Sequence, residues 1–137
     1  NVTLFKPNFK ELVEGIKAES LPKDNPIAIF EAAKALRSSL NAQYVMVTLS
    51  EYGILITNGE NFFNMPAQKR EIADVSGAGD TVISVASVLL SCGMDMSFIA
   101  AVSNIAGGLV CEKSGVVPVD KEQLLKESLE YFLAIND

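Results

Sequence analysis

Gly77-Ala78-Gly79 runs straight into Asp80-Thr81 and then into Val82, Ile83, Val85, Ala86, Val88, Leu89 and Leu90, apolar almost all the way round at helical spacing. This junction constrains the fold more than any other part of the chain. Glycine lets the backbone turn sharply or approach another group closely, because no Cβ stands in the way. A helix apolar on every side is normally buried among other elements. The chain must therefore turn tightly and then send a helix, from Thr81 to Cys92-Gly93, into a core.

The rest of the chain supplies strands and further helices. Val2–Phe5 is β-prone and stops at Pro7. Asn8 can cap a helix over about 9–18 with Leu12, Val13 and Ile16 on one face. After a polar loop, Pro26 suits the first turn of a second helix, whose apolar residues are Ile27, Phe30, Ala33 and Ala35-Leu36 and whose pattern fades by Leu40. Tyr44–Leu49 reads as a buried strand, Ser50–Gly53 as a turn and Ile54–Thr57 as a strand. Asn58-Gly59 signals a hairpin, with Phe62–Met65 returning as its partner. Ile72–Asp74 reads as one more short extended piece. A helix starting at Asp95 or Ser97 runs to about Glu112. Its small residues, Ala100-Ala101 and Ala106-Gly107-Gly108, allow close packing or ligand access. Ser114–Pro118 is a loop, and an amphipathic helix follows over about 120–133. The fold class is α/β, with parallel strands, an antiparallel hairpin and three C-terminal helices.

Composition narrows the function. At 137 residues and 49% hydrophobic, the chain forms one domain with a real core. A net charge of −6 without any basic cluster argues against nucleic acid. No run is long enough to span a membrane and no signal peptide leads the chain, so a soluble cytoplasmic protein is expected. There is no histidine, which removes Ser-His and Cys-His nucleophiles and His-based zinc sites. Cys92 and Cys111 fall in apolar helical patterns and are expected to be buried thiols. The chain opens Asn1-Val2-Thr3 without a Met, as if already inside a strand, and is expected to be a fragment of something longer.

Three motifs carry chemistry. In Asp74-Val75-Ser76-Gly77-Ala78-Gly79-Asp80, a glycine turn opens onto a helix whose first N–H groups suit an anion. A carboxylate beside an anion is explained if it takes the proton of a hydroxyl attacking a phosphoryl group. The turn is neither a Walker A loop nor a dinucleotide fingerprint, and on spacing alone a plain turn with Asp80 favouring the helix N-terminus is the safer reading. Asn8 and Glu11, three apart at a helix start, could reach phosphates and a metal's water shell, or form a capping box. Thr48, Ser50 and Gly53 follow a strand end, where ligands bind in open α/β sheets, though Ser-x-x-Gly is also ordinary turn chemistry.

Together these motifs resemble the pfkB, or ribokinase-like, carbohydrate kinase family. Asp74–Ser84 is similar to that family's C-terminal signature, departing at Val85. Thr81-Val82-Ile83, Thr48–Gly53 and Lys6-Pro7-Asn8 preceding Glu11 are similar to its heptose 7-phosphate kinase branch. The resemblance covers the whole chain but only the second half of a family member. It implies the C-terminal half of an α/β/α sandwich that binds ATP and a small sugar phosphate and transfers the phosphoryl group. Asp80 would be the base. The N–H groups of Gly77, Ala78 and Gly79 would form the anion hole. Asn8 and Glu11 would support phosphate and Mg²⁺, the latter through water. Thr48, Ser50, Gly53 and Asn104 would contact the nucleotide. Asp74, Ser76 and Gly115 would hold a monovalent cation such as K⁺, with Val119 where some members offer a hydroxyl.

The resemblance also implies what is missing. The family's Gly-Gly sugar motif and lid strands are not in this sequence, nor is the nucleotidyltransferase domain that members of this branch often carry. The leading expectation is thus the ATP-binding, catalytic-base half of a sugar kinase. A nucleotide-binding module without catalysis and an inert half with an exposed sheet edge are the alternatives. The exposed edge predicts self-association into homo-oligomers.

Overall fold

The computed structural model describes residues 2–73, 75 and 77–135. The chain divides into two compact units, Asn1–Ala67 and Gln68–Asp137. The first holds a four-stranded sheet in the order β1 (Val2–Phe5), β2 (Ala42–Thr48), β3 (Ile54–Thr57) and β4 (Phe62–Met65). β1 lies parallel to β2, with Phe5 opposite Val45, whereas β3 runs antiparallel to β2 and β4 antiparallel to β3. Two helices, α1 (Phe9–Ile16) and α2 (Pro26–Leu40), form the crossover that a parallel pair requires.

These helices pack their apolar faces on the sheet. Leu12 of α1 and Ile29, Ala33 and Leu36 of α2 join Val45, Val47 and Leu55 in one buried cluster. Val45 and Val47 share that face because strand side chains alternate. α1 ends at Ile16, two residues short of the expected 18, where Lys17 turns left-handed. The α2 face differs from the one read in sequence. Ile27 is 60% exposed and Ala35 is exposed, while Ile29, Ala32, Ala33 and Leu36 are buried. With Asn25 capping and Pro26 opening the helix, positions 29, 32/33 and 36 recur on one side and 27 falls about 200° from 29. Phe30 is half-buried and stacks on Phe62, ring centroids 4.6 Å apart.

The hairpin forms where Asn58-Gly59 signalled it, through a longer loop closed by side chains. Asn58 Oδ1 accepts the N–H groups of Glu60 and Asn61, both at 2.9 Å. The buried Thr57 hydroxyl donates to the Asn61 carbonyl at 2.7 Å and accepts the Gly59 N–H at 2.9 Å.

The second unit consists of three helices, α3 (Ala78–Ser91), α4 (Met96–Cys111) and α5 (Lys121–Ile135), with α4 packed against both others. α3 begins three residues before the expected Thr81, because the glycine turn itself enters the helix. The mostly buried helix is α4, not α3. Residues 99–103 and 105–107 of α4 are all buried, whereas α3 buries Val82 and Ala86 and leaves Val88 61% exposed. The reason lies in side-chain size. The Gly107 backbone admits Val82 so closely that a Cβ there would sit 2.8 Å from Val82 Cγ2. Large apolar residues fill α3's surface, whereas small ones in α4 let neighbours close around it.

Two further expectations are corrected. Ile72 and Ala73 form no strand; the Ala73 N–H donates to the Cys111 carbonyl at 2.8 Å, a helix end rather than a sheet partner. Asp74 lies outside the described residues. Cys92 is exposed and Cys111 half-buried. Cys92 caps α3 where Gly93 turns left-handed, with φ 78°, and the chain leaves the packed face.

Candidate functional site

In the first unit the carboxyl ends of the two parallel strands bring together Asn8, Glu11 and Thr48. Pro7 offers its carbonyl to the Thr48 N–H at 3.1 Å, and Asn8 bridges to Thr48 in parallel register. Asn8 and Glu11 form a complete capping box. Glu11 N–H donates to Asn8 Oδ1 at 2.8 Å and Asn8 N–H donates to Glu11 Oε1 at 3.0 Å. The capping reading is therefore realised, and it holds both side chains still. It does not exhaust Glu11, since an ionised carboxylate has about four acceptor positions and the side chain is exposed. Its free capacity fits the water shell of a divalent cation.

Beyond Thr48 the chain makes a short 3₁₀ turn, Ser50–Tyr52, closed by the Leu49 N–H donating to the Gly53 carbonyl at 2.7 Å. Ser50 is left-handed, with φ 52°, a conformation that costs a non-glycine residue about 1–3 kcal/mol. Gly53, at φ 86°, is fixed by packing: a Cβ there would lie 1.8 Å from the Met65 carbonyl oxygen. The turn thus sets Ser50 at the surface just past a strand end, with Gly53 buried beneath the β4 backbone. Beside it lies a shallow hollow of about 140 Å³ whose walls include Lys23, Leu49, Glu51, Tyr52 and Asn64. Lys23 Nζ and Glu51 Oε2 stand 3.6 Å apart there.

In the second unit Gly77 takes φ 78° at the N-cap of α3 and gives that helix no side-chain cap. The first-turn N–H groups of α3 have no intrahelical acceptor. The Ala78 N–H donates to the Val75 carbonyl at 3.3 Å and the Thr81 N–H to the Gly77 carbonyl at 3.0 Å. Gly79 and Asp80 are exposed. Asn104 is half-buried in the otherwise buried stretch of α4, and Gly115 is exposed at φ 77° in the loop after it. Asp74 and Ser76 lie outside the described residues.

Sequence reading missed Arg70. Its side chain is only 7% exposed. Nη1 donates to Glu112 Oε1 at 2.6 Å, and Nη2 to Glu127 Oε1 at 2.9 Å and to Gln68 Oε1. Burial works against its charge, but the hydrogen bonds and charges of Glu127 and Glu112 outweigh that and raise its pKa above the ordinary guanidinium value. The only signal in the sequence was Gly108, whose missing Cβ makes room for the guanidinium.

This chain has relatives among known proteins. The bifunctional proteins HldE of Methylobacillus flagellatus and Syntrophotalea carbinolica are 36% and 40% identical to it over 125 and 124 residues, covering 91% and 89% of this chain. The chain spans about a quarter of their length, 25% and 24%. Phosphofructokinase-2 from Escherichia coli in complex with potassium superposes with a TM-score of 0.83 at 23% identity, over 95% of this chain and 41% of that one. Ribokinase from Arabidopsis thaliana complexed with ribose and ATP gives 0.78 at 22%, over 92% and 40%. The fold is ribokinase-like. Residues 1–122 match the pfkB family carbohydrate kinases, and with the glycine turn, the Asn8–Glu11 pair and the Thr48–Gly53 turn all falling inside that match, the chain belongs to this family.

Proposed function

We propose that this chain supplies the ATP site and catalytic base for phosphoryl transfer to a sugar hydroxyl, and that the sugar is a heptose 7-phosphate converted to its 1,7-bisphosphate. The observation that carries the reading is the uncapped start of α3, with Asp80 exposed in its first turn. Asp80 accepts the proton of the attacking hydroxyl. The N–H groups of the Gly77–Asp80 turn hold the charge on the transferred group, where positioning and electrostatics supply most of the catalysis. Asn8 and Glu11 orient the phosphates. Bound Mg²⁺, reached by Glu11 through water, would neutralise phosphate charge. Thr48, Ser50, Gly53 and Asn104 serve the nucleotide, and Asp74, Ser76 and Gly115 a monovalent cation. The choice of heptose rests on the resemblance of Thr81-Val82-Ile83, Thr48–Gly53 and Lys6-Pro7-Asn8 to heptose 7-phosphate kinases.

Asp80→Asn in the complete polypeptide containing this chain tests the reading. Turnover should fall about 10²- to 10⁴-fold, the range expected for a lost general base, with ATP affinity kept. Unchanged turnover overturns it. A second reading is a nucleotide-binding module, since the Asn8–Glu11 pair and the Thr48–Gly53 turn could serve a nucleotide without catalysis. Calorimetry of the isolated chain with ADP and Mg²⁺ that detects binding, without phosphate transfer to any sugar, supports the module.

A further inference from the structure

The segment that leads into the glycine turn and the first turns of α3 are both seated on α4 and the loop after it. Arg70 lies over Gly108, where a Cβ would come within 2.5 Å of Nε. Two residues beyond Asp80, Val82 lies over the adjacent Gly107, where a Cβ would come within 2.8 Å. Between these seats, Ala73 donates its N–H to the Cys111 carbonyl at 2.8 Å, and Gly77 packs against Val116, 3.0 Å from where its Cβ would be. Arg70 fastens the N-terminal side. Its fork takes Glu112 from the end of α4 and Glu127 from α5, and the buried Nε has no hydrogen-bond partner among the described residues. A buried cation with two carboxylates and an unpaired N–H is an expensive way to stabilise a fold, since apolar residues of similar volume often do as well. Its geometric advantage is rigidity, because a guanidinium fork fixes both partners in one plane.

We propose that Arg70 is a positioning residue for the Gly77–Asp80 turn. It acts through Gly108, Glu112 and Glu127 to hold the turn's N–H groups and the Asp80 carboxylate in register with the transferred phosphoryl group. This rests on the kinase reading above. Displacing such groups by about 1 Å can cost on the order of 10²-fold in rate. The loss is felt in the transition state, so kcat and kcat/KM fall together.

The experiment compares Arg70→Lys, Glu127→Gln and Asp80→Asn in the complete polypeptide, measuring kcat, KM for ATP and the unfolding midpoint of each. Arg70→Lys keeps the charge and loses the fork. It is expected to lower kcat about 10- to 100-fold with KM for ATP changed less than about 2-fold. Glu127→Gln keeps a hydrogen-bond acceptor on a partly exposed side chain, so it remains folded even if Arg70→Lys does not, and should lower kcat about 3- to 10-fold in the same pattern. If both variants, or the one that folds, lower the unfolding midpoint while the folded enzyme keeps its kcat, Arg70 is structural only and the proposal fails. If Asp80→Asn keeps full turnover, the kinase reading itself fails. If Asp80→Asn is inactive and the Arg70 and Glu127 variants are not, only the positioning role fails.

Discussion

A Cβ built on Gly53 would lie 1.8 Å from the Met65 carbonyl oxygen and 2.7 Å from the Ala67 nitrogen. Neither is the end of a flexible side chain, so any larger residue must push β3 and β4 apart or abandon φ 86°. Gly53→Ala is therefore expected to destabilise by at least ~2 kcal/mol, seen as a lower urea midpoint at unchanged slope. A midpoint within error of wild type would remove the packing explanation. The same residue shows what sequence could and could not convey. Its place after Thr48-x-Ser50 was legible as turn chemistry near a ligand. The β4 backbone above it was not, because strand neighbours distant in sequence leave no local mark. Arg70 was hidden for the same reason. Its partners are 42 and 57 residues away, while Asn8 and Glu11, three apart, declared their mutual bonds directly.

Helix ends carry the local chemistry most openly. Asp95 caps α4 by accepting the Phe98 N–H at 2.9 Å and the Ser97 hydroxyl at 2.8 Å. These bonds, the backbone one first, hold its carboxyl below the ordinary value of 3.8. A depressed folded-state pKa means that the unfolded chain takes up the proton first. The stabilisation is present above about pH 4 and is lost as pH falls through the folded value. Asp95→Asn keeps the capping oxygen and cannot titrate. Urea midpoints of the two proteins should converge as pH drops from about 5 to about 3, with wild type losing more, whereas parallel curves would refute the link. Caps, breaks and the hairpin were readable because each depends on residues within a few positions. Which of α3 and α4 would be enclosed was not. All-round apolarity marks both, and the choice depends on the small residues that let neighbours approach, a property of pairs of helices.

At the scale of the molecule, β1 is an edge strand, with Val2 and Phe5 exposed, and α5 exposes Leu125, Leu129 and Leu133 along one line. Open strand edges and apolar stripes favour pairing with another chain. The isolated 137-residue chain should sediment as dimers or larger species at micromolar concentration, and a monodisperse monomer would count against it. The seating of α4 bears on a different question, how such a chain can change over time. Gly107 and Val82 fill one contact between them, so neither is free to drift alone. An alanine at 107 becomes tolerable only alongside a smaller or shifted residue at 82. Variation at these two positions should be visible as paired substitutions, the signature of a joint that evolution can re-cut but not loosen.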